Sequence, residues 1–286
     1  MNPSPGAVDR AMTVDVGRFG IWRRSWDVTT EEVALVEELG FGALWIGGSP
    51  PADLELAERL LGATGSLVVA TGIVNMWASD PTELARSYHR IAARYPGRFL
   101  LGVGIGHREH TQEYRSPYDT IVSYLDTLDA EGVPREHVVL AALGPKVLKL
   151  SAERTAGAHP YLTTPEHTRR AREILGDGVL LAPEHKVLLE TDPARAREIG
   201  RPAVRDPYLS LSNYVSNLKR LGYTDADVSD GGSDRLVDAL ALHGDAAQIA
   251  AGLREHLDAG ADHVAVQVLG DRPLEDYRTL AGELVH

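Results

Sequence analysis

The run Arg98–His110, RFLLGVGIGHREH, sets three glycines and then a group of polar side chains at the end of an apolar segment. Phe99, Leu100, Leu101, Val103 and Ile105 are almost uninterrupted, the pattern of a strand covered on both faces in a parallel sheet. Gly102, Gly104 and Gly106 remove side chains there. A flat ligand or a phosphate can then approach the backbone, or neighbouring strands can pack closely. His107 is the first ionisable residue after the glycines, and its imidazole suits a hydrogen-bond or proton donor in a cofactor pocket. His107 and His110 with Glu109 and Glu113 form a second possibility, a metal set. No HxH pair on the first strand and no HExxH helix accompanies them, so no metal is expected.

Leu143-Gly144-Pro145-Lys146 is the other stretch with a chemical reading. Glycine admits close approach, proline fits a first helical turn, the following amides point outward, and Lys146 adds charge. Together these make an anion or phosphate seat, the alternative being a plain strand-to-helix turn. Several chemistries are excluded. The GxGxG of 102–106 lacks the GxGxxG spacing and the acidic partner of a dinucleotide fold, and there is no Walker lysine motif and no GxSxG elbow. The absence of cysteine removes disulfides, thiolate metal sites and cysteine nucleophiles together.

These residues need a scaffold. The 286-residue chain has 43% hydrophobic and 24% charged residues, an ordinary globular composition. A net charge of −12 argues against nucleic acid or an anionic membrane as partner, since both favour a basic face. No run approaches the roughly 18 apolar residues of a membrane helix. Residues 1–15 read as a flexible lead-in without the apolar core of a signal peptide, and the cytoplasm is the expected compartment.

Strand and helix patterns alternate along the rest. Strands are expected at 16–22, 42–46, 67–74, 98–105, 137–143, 158–162 and 179–182, the last continuing through 186–189, with an eighth at 263–269. Helical patterns fall at 30–39, 54–61, 83–95, 121–128, 146–156 and 164–175. Glu38-Leu39-Gly40, Leu175-Gly176-Asp177-Gly178 and Ala259-Gly260-Ala261 each put a C-capping glycine before a strand, the short loop of a repeated βα unit. Eight such units predict an α/β fold, a (β/α)8 TIM barrel spanning 16–286. A helical insertion at about 190–243, turn-rich at 225–234, separates strands seven and eight. A doubly wound sheet is the alternative architecture. In a barrel the active site gathers whatever follows each strand: Trp22, Arg23 and Trp26; Gly47, Gly48 and Ser49; 72–77; Gly106, His107 and Arg108; 143–146; His159, Pro160 and Tyr161; Glu184 and His185; Gln267.

Taken together, GFGALWIGGSP (40–50), VVATGIVNMWASDP (68–81), GRFLLGVGIGH (97–107), AALGPKVLKLSAERTAGAHPYLTTPEHT (141–168) and LLETDPARARE (188–198) resemble the luciferase-like monooxygenase superfamily, most closely its coenzyme F420-dependent oxidoreductase branch. The resemblance implies a deazaflavin ring backed by a third-strand bulge, often with a non-prolyl cis peptide, at Gly72–Ile73 with Asn75 nearby. It implies cofactor contacts at Gly104, Gly106, His107, Ala142, Leu143, Gly144, Pro145, Lys146, His159, Pro160 and Tyr161, with the phosphate at 142–146. His107 stands where relatives often carry an acid, and Gly47-Gly48-Ser49 stands where some carry a histidine, so sugar-phosphate oxidation is not implied. The expected function is hydride transfer between F420 and a small organic substrate, with His107 as proton donor, in a homodimer. The alternatives are an FMN-dependent monooxygenase, a non-catalytic flavin or deazaflavin carrier, and a metal-dependent barrel hydrolase.

Overall fold

The computed structural model describes residues 14–106 and 116–285. The described chain alternates as the sequence predicts: β1 (Phe19–Arg24), α1 (Thr30–Glu38), β2 (Ala43–Gly47), α2 (Glu55–Gly62), β3 (Val68–Thr71), β4 (Val74–Asn75), α3 (Pro81–Arg94), β5 (Phe99–Gly104) and α4 (Pro117–Ala130). There follow β6 (Val138–Leu140), α5 (Pro145–Arg154), β7 (Gly157–Ala158), α6 (Pro165–Leu175), β8 (Leu180–Leu181) and β9 (Glu184–Leu188). The insertion holds α7 (Pro193–Arg205), α8 (Ser212–Arg220), α9 (Asp225–Val228) and α10 (Asp234–Leu240), and the chain ends with β10 (Ala241–His243), α11 (Ala246–Asp258), β11 (Val264–Val268) and α12 (Pro273–Leu284).

Helix starts follow their caps. Thr29, Asp80, Thr164, Asp192 and Asp245 each accept a backbone N–H of the first turn, and proline occupies the first positions of α3, α5, α6 and α7, where its missing N–H does no harm. The turn-rich reading of 225–234 holds for 229–233, with one helical turn before it. Thr224 and Asp227 close a capping box that winds that turn, α9. The seven-residue α10 and the three-residue β10 were not expected, because runs so short carry too few turns for a period to register, and the closing α12 was not expected either.

All strand pairs are parallel, in the order β10-β9-β11-β1-β2-β3-β5-β6-β7-β8, with β4 on β5. The two ends of this order meet in one run of chain, 180–188. On one edge Leu180 N–H donates to Ala156 O, Ala182 N–H to Ala158 O and Glu184 N–H to Pro160 O. On the other, Ala265 N–H donates to Pro183 O and Ala265 stands in register with Glu184. The sheet therefore returns on itself, a (β/α)8 barrel with β3/β4 and β8/β9 each forming one stave, and the doubly wound alternative falls.

Alternation along the strands divides the core. Ile21, Leu44, Ile46, Leu101, Val103, Val264 and Val266 face the helices, while Trp22, Ala43, Trp45, Ala70, Ala182 and Ala265 face inward. Inward alanines leave room for two tryptophans, so the interior is filled by side chains.

Gly102 sets the spacing of the third and fourth staves. A Cβ there would lie 1.8 Å from Thr71 O, and Thr71 Oγ1 both donates to Gly102 O and accepts from its N–H, each at 2.8 Å. Gly102→Ala is expected to destabilise the protein by about 3 kcal/mol, since backbone must move to admit the methyl. Urea unfolding measures it as a lower midpoint with unchanged slope.

Candidate functional site

The chemistry of the barrel mouth rests on a column of buried aromatic and imidazole rings. Trp45 Nε1 donates to His263 Nε2 at 2.9 Å, and His263 Nδ1 donates to Gly17 O at 2.8 Å. Above Trp45 the His159 ring stacks at 4.1 Å and 11°, and His159 Nδ1 donates to Ala182 O at 2.6 Å. Burial holds both imidazoles neutral, pulling each down to about 4. His159 Nε2 is thus a lone-pair acceptor. It lies beside Gly72, 2.9 Å from where a Cβ would stand, and Trp22 Nε1 lies 3.0 Å from the same point. Neither atom has a hydrogen-bond partner among the described residues. One buried donor and one buried acceptor therefore converge on the backbone at the top of β3.

That backbone is the expected bulge. The Gly72–Ile73 peptide bond is cis and separates β3 from β4. Asn75 accepts Trp77 N–H at 2.9 Å and packs its amide against Gly106, whose Cβ would fall 2.5 Å from Asn75 Nδ2. At Gly104 a Cβ would meet Ala141 Cβ at 2.7 Å and Ile73 at 3.1 Å. The side-chain faces of the three glycines are thus occupied by protein, which is the close-packing reading of the GxGxG run. Gly47 serves likewise, its missing side chain being where the Trp22 ring lies.

A second feature sits at the N-terminus of α5. Gly144 is the N-cap without a side-chain cap and Pro145 has no N–H, so the end carries the unneutralised positive pole of the helix. Lys146 is exposed there, and Arg220, at the end of α8, brings Nη2 within 3.9 Å of a Cβ on Gly144. Arg220 bonds Asn217 Oδ1 at 3.2 Å, and neither cation is in an ion pair among the described residues. His167 Nε2 donates to Leu143 O at 2.9 Å, and burial, aided by Arg220 and Arg170, holds its pKa down. Nothing in the sequence marked Arg220, which the fold brings from the insertion.

The inward ends of β9 and β11 carry the third feature. Glu184 and Lys186, two residues apart, share the inner face of β9 and are fully buried, with Lys186 Nζ 3.0 Å from Glu184 Oε1. Glu184 also accepts Leu162 N–H at 3.0 Å. Burial pushes the carboxyl up and the amine down, so the pair stays neutral overall. Lys186 Nζ sits 3.9 Å over the Tyr161 ring, Tyr161 OH meets Gln267 Oε1 at 2.9 Å, and Trp22 lies 5.4 Å from Tyr161 between centroids. Lys186 and Gln267 are register partners on adjacent strands. The signal for the pair was available as two charges at a strand's period inside LLAPEHKVLL.

Of the residues expected at the site, Gly72, Ile73, Asn75, Gly104, Gly106, His159, Pro160 and Tyr161 lie along adjacent staves of the barrel, with Ala142, Leu143, Gly144, Pro145 and Lys146 just after β6. His107 lies outside the described residues, as do Glu109, His110 and Glu113. Among the described residues no cluster of three metal-binding side chains occurs, and no helix is long and apolar enough to cross a membrane.

Residues 10–126 match the luciferase-like monooxygenase family. The luciferase-like resemblance of the sequence is thereby borne out, and the solved structures agree on the fold. An F420-dependent secondary alcohol dehydrogenase, solved with an F420-acetone adduct, superposes with a TM-score of 0.73 at 15% identity, over 94% of this chain and 98% of that one. The coenzyme F420-dependent tetrahydromethanopterin reductase of Methanopyrus kandleri gives 0.70 at 14%, over 94% and 98%. The oxygenating constituent of 3,6-diketocamphane monooxygenase of Pseudomonas putida, in complex with FMN, gives 0.66 at 14%, over 93% and 96%. Among curated proteins no sequence matches this chain. The family model that matches is described as luciferase-like monooxygenase, and these neighbours are oxidoreductases and monooxygenases that share this barrel fold.

The neutral imidazoles make stability depend on pH with a definite sign. His159 and His263 titrate near 4 in the fold and His256 near 3, against 6.5 in the unfolded chain, so unfolding takes up protons. Stability is full above the unfolded value and is lost as pH falls, each imidazole contributing about 1.4 kcal/mol per pH unit between the two values. Thermal midpoints measured from about pH 7.5 to about pH 4.5 are expected to drop steeply below about pH 6.5. A flat profile would contradict the neutral assignment.

Proposed function

We propose that this protein is an oxidoreductase that binds coenzyme F420 at the open end of the barrel and moves a hydride between it and a small organic substrate. The observation that carries this reading is the pair of unneutralised cations, Lys146 and Arg220, at the bare N-terminus of α5, on the same rim as the Gly72–Ile73 bulge. A phosphate-bearing planar cofactor needs both features, an anion seat and a ring platform. The residues fit such a group. Gly144, Lys146 and Arg220 would hold its phosphate, and the backbone at 72–75, faced by the orphan Trp22 Nε1 and His159 Nε2, would support its ring. When bound, the deazaflavin supplies hydride transfer; the protein supplies orientation, charge and exclusion of water. His107 is proposed as the proton donor. The F420-dependent neighbours support this choice of cofactor by analogy.

FMN is the second reading, favoured by the FMN-bound neighbour and by a seat sized by charge for a single phosphate. Fluorescence titration with F420 and with FMN separates the two. F420 is expected to bind more tightly, and a tighter grip on FMN would move the protein to the monooxygenases. Lys146→Ala and Arg220→Ala are each expected to weaken F420 binding about tenfold or more, as loss of a charge-assisted contact does, and to flatten its salt dependence. Turnover of a substrate panel with reduced F420 answers the remaining alternative, a carrier without catalysis.

A further inference from the structure

The mouth of the barrel holds a polar pair outside the phosphate seat and ring platform proposed above, and only one of its members, Tyr161, stands among the cofactor contacts that the family resemblance implies. Tyr161 OH and Gln267 meet at 2.9 Å, Gln267 is 5% exposed, and both face inward beside Trp22. Which end of the Gln267 amide faces Tyr161 does not alter the count of donors. If Oε1 accepts the phenol hydrogen, the two amide hydrogens of Nε2 stay available. If Nε2 donates instead, the phenol hydrogen turns to Tyr208, which is hydrogen-bonded to Tyr161, and the second amide hydrogen of Nε2 stays available. Either way the pair holds a hydrogen-bond donor beyond the one it uses on itself.

The pair is held firmly. Lys186, the register partner of Gln267, places its Nζ under the Tyr161 ring and is itself fixed by Glu184, which in turn accepts Leu162 N–H. An ion pair buried so deeply is matched or bettered in stability by apolar residues of the same volume, so its presence is not explained by stability. A ring clamped from below keeps its hydroxyl at a fixed height in the mouth. Burial also keeps Tyr161 protonated far above neutral pH, so its role is that of a donor.

We infer that Tyr161 and Gln267 form a subsite that donates a hydrogen bond to an oxygen of the substrate, selecting ketones, aldehydes or alcohols over hydrocarbons of the same shape. Lys186 is a positioning residue that acts through Tyr161. The inference rests on the oxidoreductase reading only in taking the same mouth as the substrate's place.

Calorimetric binding of cyclohexanone and of methylenecyclohexane, which differ in one oxygen, tests it on the full-length protein. The wild type is expected to prefer the ketone. Tyr161→Phe and Gln267→Leu, which keep shape, are each expected to weaken ketone binding about tenfold and leave the hydrocarbon unchanged. Lys186→Met is expected to lower the preference for the ketone over the hydrocarbon, while Lys186→Arg restores it. A merely structural lysine would change the two affinities alike. Equal affinity for ketone and hydrocarbon in the wild type, or no loss in both Tyr161→Phe and Gln267→Leu, overturns the inference. F420 and FMN titrations of the same proteins keep the two readings apart. Binding of neither cofactor sinks the function proposed above while a ketone preference lost in the variants upholds this subsite. Cofactor binding with unselective variants does the reverse.

Discussion

The interior of the barrel is a problem of volume. Eight staves enclose a space that must be filled to the density of a solid, and here two indoles, Trp22 and Trp45, are among the large side chains that fill it. Alanines at 43, 70, 182 and 265 and glycines at 47 and 72 are what make room for them. Once Trp45 is in place, His159 must lie flat on it and His263 must take its N–H, so the polar geometry at the mouth is inherited from packing below.

The same constraint orders the electrostatics. These rings lie in direct contact with the groups they touch, so each buried polar atom needs a partner or stays neutral. The histidines take the second course, and Glu184 with Lys186 takes the first. At the rim, Lys146 and Arg220 carry charge that no ion pair compensates, where solvent lowers its penalty and a ligand can reach it. Interior and rim thus divide the work, shape and hydrogen bonding below, charge above.

Most of the barrel was legible in the chain because its signals are local. Capping residues, C-terminal glycines and apolar runs of strand length mark each βα unit without reference to the others. Ring closure was inferable only from the number of units; what establishes it is that both edges of 180–188 are paired. At the site, 72–75 and 143–146 could be read because each is a single stretch. Arg220 could not, since its nearness to Gly144 depends on how α8 folds back. The glycines of 102–106 show the limit from the other side. Their spacing marked a place where side chains are not tolerated, but only the structure shows that Thr71, Ala141 and Asn75 are what exclude them.

The Glu184–Lys186 pair also bears on how such a sequence can drift. Loss of either member alone leaves a buried charge without its counterion, a penalty of about 3–5 kcal/mol, a large part of the stability of a whole domain. Paired exchange for apolar residues carries no such penalty. The two codons are therefore bound to one another across generations. Descendants of this barrel should keep both residues or neither, and an intermediate holding one of them would survive only where a third change had already relieved it.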